Sequence, residues 1–199
     1  KGNTVEALQS LPTGEQLKPT LKHSIAFWWI DSLRIALESK RQAENGDLDG
    51  AKVTAAALAK HGDALSRVQP AAAAGGELSA WNRAFRATEV LASELNGRIA
   101  LAGPPDAHGS AYNWYRSASD RQRPATLLYP PAILGPMTSR VGDYFLFMKR
   151  PVDAIEAYDE ALRQFPNDLD TLTSLAEAYD ASNQPEKAKQ TRELISSLK

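Results

Sequence analysis

The stretch VDAIEAYDEALRQFPND, Val152 to Asp168, decides the fold. Its apolar residues, Ala154, Ile155, Tyr158, Ala161, Leu162 and Phe165, recur at steps of three and four and draw one stripe along a helix. Asp153, Glu156, Asp159, Glu160 and Arg163 take the opposite face. Pro151 suits the first helical turn, and Pro166 with Asn167 ends the helix. Downstream, Leu172, Leu175, Ala176 and Tyr179 make a second stripe, ASNQP (Ala181 to Pro185) is a turn, and Ala188, Thr191, Leu194, Ile195 and Leu198 make a third. Upstream, TSRVGDYFLFMKR (Thr138 to Arg150) reads as another helix. Turns this short favour antiparallel neighbours.

The stripes are periodic at a larger scale. Gly142 and Ala176 lie 34 residues apart, as do Val141 and Leu175, Phe145 and Tyr179, and Ala154 and Ala188. With small residues at matched places, this resembles the tetratricopeptide repeat family. In one unit Val141, Gly142, Phe145, Ala154, Tyr158, Ala161 and Pro166 fill the signature slots, and in the next Leu172, Leu175, Ala176, Tyr179 and Ala188 do so. Small residues facing each other let two helix backbones approach, while the aromatic fills the remaining gap. The second unit departs at its end: Arg192 stands where an aromatic is usual and no proline follows, so the last helix reads as a polar cap.

The N-terminal two-thirds is helical and less regular. Helices are predicted over Leu21–Asn45, Asp49–Val68, Glu77–Ala102 and Ser110–Gln122, with PAAAAGG (Pro70 to Gly76) as a loop. GDLDGA (Gly46 to Ala51) resembles the turn between paired helices, and Ala111, Tyr115 and Ala118 have the spacing of a second helix. RPATLLYPPAILGP (Arg123 to Pro136) combines four prolines with apolar residues and reads as a crossover lying on helices. The expected architecture is all-α, antiparallel helix pairs stacked as a tetratricopeptide-like α-solenoid. Residues 1–122 form degenerate pairs, residues 123–136 the crossover, and residues 137–199 two units with a capping helix. A separate N-terminal bundle is the rival arrangement.

Composition narrows the function. Hydrophobic residues make up 43% and charged residues 24%, the balance of a globular chain. A net charge of −1 supplies no field for nucleic acid. Cysteine is absent, which excludes disulfides and thiol chemistry. No apolar run has the length of a membrane span. The chain opens without methionine and reads as a piece of a longer product; a soluble protein of cytoplasm or periplasm is expected. His23, His61 and His108 are scattered, Asp106 and His108 alone make no ligand set, and no nucleophile elbow or phosphate-binding glycine loop occurs. No catalytic residue, metal or cofactor is expected.

The resemblance implies a protein- or peptide-binding scaffold with the first helix of each pair lining a concave face. It puts Ser139, Asp143, Leu146 and Phe147 there in one unit, and Asp170, Thr173, Glu177 and Asp180 in the next. The candidate contact residues are Asp143, Phe147, Asp170, Thr173, Glu177 and Asp180. The family's clamp for a peptide carboxylate needs Lys and Asn at slots here held by Ser139, Asp143, Thr173 and Glu177, so the clamp is lacking; because Asp143, Asp170, Glu177 and Asp180 share one face, the expected partner is a neutral or basic peptide. An ordinary solvated acidic face accounts equally for the charges. Two other readings stay open: a small-molecule or metal-binding pocket against the crossover, lined by Trp28, Trp81, Trp114 and His23, and a structural piece of a longer array or oligomer.

Overall fold

The computed structural model describes residues 4–13, 15–17, 24–122 and 135–198. Nine α-helices and no strand occur among the described residues. Their contacts divide the chain into two compact units, residues 1–133 and 134–199.

In the first unit α1 (Thr4–Ser10) packs on α2 (Ile25–Glu44). The Arg34 guanidinium donates to the Leu11 carbonyl at 2.7 Å and ties down the segment after α1. α2 pairs with α3 (Leu48–Ala74), and α4 (Leu78–Ala102) packs on both of them and pairs with α5 (His108–Arg121). Ser24 caps α2, its hydroxyl accepting from the Ala26 N–H at 3.1 Å. The start expected at Leu21 falls on residues outside those described. Asp47 caps α3 in the same way through the Gly50 N–H.

The loop expected at Pro70–Gly76 is a correction, because α3 continues through Pro70 to Ala74. Pro70 removes one donor from the ladder. The alanines after it are the strongest helix formers, and Ala72 is buried, so the last turn is held by packing. The chain leaves the helix only at Gly75, with Gly76 at φ 77°. The core of this unit gathers Trp29, Leu58, Leu65, Trp81 and Leu91. Two of its buried polar contacts cross between helices: the Trp81 indole N–H donates to the Leu65 carbonyl at 2.9 Å, and the Thr88 and Ser32 hydroxyls meet at 3.2 Å.

The second unit holds α6 (Met137–Phe147), α7 (Pro151–Gln164), α8 (Leu169–Ala181) and α9 (Pro185–Ser197). The adjacency is that of the first unit: α6 with α7, α7 with α8, α8 with α9, and a lighter contact of α6 with α8. Both α7 and α9 open on a proline at the first turn, Pro151 and Pro185, where its missing N–H has no partner to lose. Asp168 caps α8, accepting from the Thr171 N–H at 2.8 Å and its hydroxyl at 2.6 Å. Ala154, Tyr158, Leu175 and Ala178 form the centre, with Phe145, Leu146, Ile155, Leu162 and Tyr179 packed around them. Only Ala188 of α9 is buried, as a terminal helix with a polar outer surface requires.

One joint recurs in all four pairs. Small residues stand at matching positions on the two helices of each pair, Ser39 and Ala51, Gly97 and Ala111, Gly142 and Ala154, Ala176 and Ala188; all eight are buried. The Ser39 hydroxyl donates to the Ala51 carbonyl at 2.9 Å, which shows how closely those helices cross. A Cβ added at Gly142 would stand 2.4 Å from the Tyr158 ring, and one at Gly97 would stand 2.4 Å from the Tyr115 ring. The two glycines therefore exist to admit the two tyrosines. In three pairs the turn follows seven residues after the small residue, at Gly46, Lys149 and Asn183, all with positive φ. There the chain closes with matching bonds: Asp47 N–H to Gln42 carbonyl (2.9 Å), Arg150 to Phe145 (2.9 Å) and Gln184 to Tyr179 (2.8 Å).

Candidate functional site

The expected contact residues lie on α6 and α8, the first helices of the two C-terminal pairs. On α8 the buried residues Thr171, Leu172, Leu175, Ala176 and Ala178 fix which side meets its neighbours. Asp170, Thr173, Glu177 and Asp180 are all exposed, and their spacing of three and four puts them on one stripe. Thr173 donates its hydroxyl to the Leu169 carbonyl at 2.7 Å, so it presents its methyl and oxygen lone pairs rather than a free donor. Asp180 pairs with Arg192 of α9, the residue that stands where the preceding pair has Tyr158. Glu177 has no ion pair among the described residues.

On α6 the residues separate. Ser139 is buried, its hydroxyl donating to the Pro136 carbonyl at 2.7 Å in the helix's first turn, so it is absent from any open face. Leu146 is partly buried, packed against the unit's core. Phe147 remains 47% exposed, beside Met148 and Val152 at the turn into α7. The candidate cover, Leu127 to Leu134 of the proline-rich segment, lies outside the described residues.

Asp143 is committed to the helix crossing. It accepts from the Tyr158 hydroxyl at 2.9 Å and from the Arg140 guanidinium at 2.9 Å. Burial first, and then the Asp143 carboxylate, push the Tyr158 hydroxyl well above the ordinary tyrosine value; Glu177 adds to the same effect from α8. The Tyr158 hydroxyl is thus held protonated as a donor to Asp143, and the charge of Glu177, the 34-residue counterpart of Asp143, acts in the same direction. Sequence spacing aligned Asp143 with Glu177 but carried no sign that one is bonded inward and the other is not.

Aromatic residues of the first helices are covered by cations at or just before the start of the second. The Arg150 guanidinium lies 4.7 Å from the Phe145 ring centre, and the Lys187 ammonium 5.4 Å from that of Tyr179. Each such contact contributes about 0.5–1 kcal/mol at a partly exposed site.

The crossover against which the alternative pocket is expected lies outside the described residues, and the three tryptophans named for it have separate neighbours. Trp81 is buried against Phe85, ring centres 5.1 Å apart and nearly parallel. Trp28 packs on the His61 ring at 5.1 Å, Trp114 stands 42% exposed on α5, and His23 lies outside the described residues. His61 sits 2.9 Å from the Trp28 carbonyl through Nε2 and 3.5 Å from Asp31 through Nδ1, a tie between α2 and α3. No cluster of three metal-ligating side chains occurs among the described residues. A cavity in the first unit, about 260 Å³ between α3, α4 and the end of α5, is lined by none of these tryptophans. Sequence reasoning missed it, and its one signal was Gly62 inside a helical pattern.

Antiparallel helix pairs joined by tight turns and crossing at small residues define a helical-repeat protein. Residues 148–197, covering α7, α8 and α9, match the model of the Tetratricopeptide repeat family; the rest of the chain does not match. Comparison with curated proteins and with solved structures returns no match. Tetratricopeptide repeats typically serve protein–protein interaction and are typically non-catalytic. Among the described residues no helix is long and apolar enough to cross a membrane.

Proposed function

We propose that this chain is a non-catalytic adaptor whose C-terminal unit holds a neutral or basic peptide along α8, with Phe147 of α6 as an apolar contact. The observation that carries this reading is the exposed stripe Asp170, Thr173, Glu177 and Asp180 on the first helix of a tetratricopeptide pair. Glu177 is its centre, a carboxylate on the open side without a cation of its own. Asp143 contributes indirectly: it fixes Tyr158 and so the spacing of α6, α7 and α8. Asp180 contributes as half of an ion pair with Arg192, which a basic ligand would have to exchange.

Such exposed carboxylates act on selectivity and on association rate more than on raw affinity. The test is a titration of a lysine-bearing and a glutamate-bearing peptide of otherwise equal sequence, selected for binding, against wild type and Glu177→Lys. Wild type should favour the basic peptide by about tenfold, equivalent to about 1.4 kcal/mol. Glu177→Lys should remove or reverse that preference. Equal preference in both proteins overturns the reading. A basic preference that survives Glu177→Lys but falls with Asp170→Lys would move the contact along the same helix.

A further inference from the structure

We propose that the cleft between α3, α4 and the end of α5 is a binding site for a small organic cation, a substituted ammonium with an aromatic or alkyl body about the size of phenethylamine. This site is independent of the α8 stripe.

Three observations converge on it. The first is Gly62, near the middle of α3. Glycine is the poorest helix former after proline, so a mid-helix glycine calls for a reason. At Gly97 and Gly142 the reason is a tyrosine ring at 2.4 Å from where a Cβ would stand. At Gly62 no such approach exists: an added Cβ would meet only the Thr88 methyl, at 3.8 Å, and φ is not positive. What the missing side chain leaves is the open space of the cleft itself, about 260 Å³. That is close to the lower end of the range for small-molecule sites.

The second is Ser93 of α4. It lines the cleft, is only 7% exposed, and its hydroxyl has no hydrogen-bond partner among the described residues. Thr88 beside it is satisfied by the Ala84 carbonyl at 3.0 Å. A hydroxyl that lines the cleft without a protein partner offers its lone pairs to an incoming N–H donor.

The third is the charge of the rim. Asp63 of α3 and Glu89 of α4 stand there without an ion pair among the described residues. Arg121, the cation at the rim, donates to the Ser117 carbonyl at 3.2 Å and to its hydroxyl, back along α5. The floor is apolar, with Leu58, Ala92 and the Phe85 ring, which is fixed by stacking on Trp81. A body that fills the floor therefore carries its polar head to a net negative rim, and a cationic head with N–H donors satisfies both Ser93 and the carboxylates. Phe85 adds an aromatic face for the same charge.

The test uses the full chain, labelled for amide NMR, titrated with phenethylammonium, 2-phenylethanol and 3-phenylpropionate, which share a body and differ in head group. The ammonium should shift the amides around Gly62, Glu89 and Ser93 and bind about tenfold more tightly than either analogue. Gly62→Leu, which fills the cleft, should weaken binding by about tenfold or more while circular dichroism keeps its helical signal. Should that variant fail to fold, Gly62→Ala is the substitute, with a smaller loss expected. Asp63→Asn with Glu89→Gln should bring the ammonium down to the affinity of the alcohol. The proposal is overturned by equal affinity for ammonium and alcohol, by shifts confined to other residues, by no saturable shift with the ammonium, or by unchanged affinity in whichever Gly62 variant folds.

Discussion

The two halves of this chain solve one packing problem with helices of different length. In α6 to α9 the helices run 11, 14, 13 and 13 residues. In α2 to α5 they run 20, 27, 25 and 14. Yet the order of neighbours is the same, and so is the joint: a buried small residue on each helix, with a tyrosine laid on a glycine in one pair of each unit. The joint depends on contacts within one or two helical turns, so it is indifferent to how far the helices continue beyond it. The extra turns of the first unit are held by a different set, Trp29, Leu65 and Trp81, which has no counterpart in the second. Local crossing chemistry thus defines the pair, and helix length is free to vary.

That equivalence has a direct test in the two tyrosines. Tyr158 is fully buried on Gly142, and Tyr115 is nearly so on Gly97. Truncating a buried aromatic costs its transfer energy and leaves a cavity, together about 3–5 kcal/mol. Tyr158→Ala and Tyr115→Ala should each destabilise the protein by that amount in chemical denaturation followed by circular dichroism. A cost near 1 kcal/mol for Tyr115→Ala beside the full cost for Tyr158→Ala would break the comparison, and the first unit would then rest on its tryptophan core instead.

The difference between the halves also explains what could be read from the sequence. The 34-residue echo from Gly142 to Ala176 exposed the C-terminal pairs, including Tyr158 and the role of Ala188. In the first unit the corresponding small residues, Ser39 and Gly97, are 58 residues apart, so a search at fixed period passes over them. Ala111, Tyr115 and Ala118 had the right spacing, but their partner Gly97 lies two residues further back than Gly142 does from Ala154, because Gly103 to Ala107 lengthens the link. Pro70 misled for a related reason: its local preference is overridden by four alanines and the burial of Ala72. The candidate face was legible as far as position along the helix. Spacing placed Glu177 and Asp170 on one stripe, whereas the burial of Ser139 and the bonding of Asp143 to Tyr158 depend on a neighbouring helix that spacing does not contain.

A second test sharpens the comparison through the Tyr158 hydroxyl. Its value is raised by burial and by Asp143, so the folded protein holds that proton at a pH where the unfolded chain has lost it. The unfolded state then binds fewer protons, and stability falls as pH rises. The contribution is fully present below about pH 10 and is lost above it at up to about 1.4 kcal/mol per pH unit. Tyr158→Phe removes the titrating group and should flatten that part of the alkaline slope. It should also lose about 1 kcal/mol at neutral pH with the hydrogen bond to Asp143. The measurement is the denaturation midpoint from pH 8 to 11.5 in both proteins. Parallel slopes would mean that the hydroxyl is not closed off at the crossing of α6, α7 and α8.

The smallest effect is at the turns, and it compares the units residue for residue. Gly46, Lys149 and Asn183 occupy one position and share a left-handed backbone, with φ of 81°, 59° and 59°. Only glycine enters that region without steric cost, and asparagine tolerates it better than lysine does. Lys149→Gly should therefore raise stability by about 0.5–1 kcal/mol, Asn183→Gly by less, and Gly46→Ala should lower it by about 1 kcal/mol. Thermal denaturation of the three variants resolves changes of this size. The ranking is the informative part. A gain at Asn183 larger than at Lys149 would mean that Lys149 contributes something beyond its backbone. The exposed Phe147 and Met148 stand immediately before it, where the counterparts 34 residues on are Ala181 and Ser182.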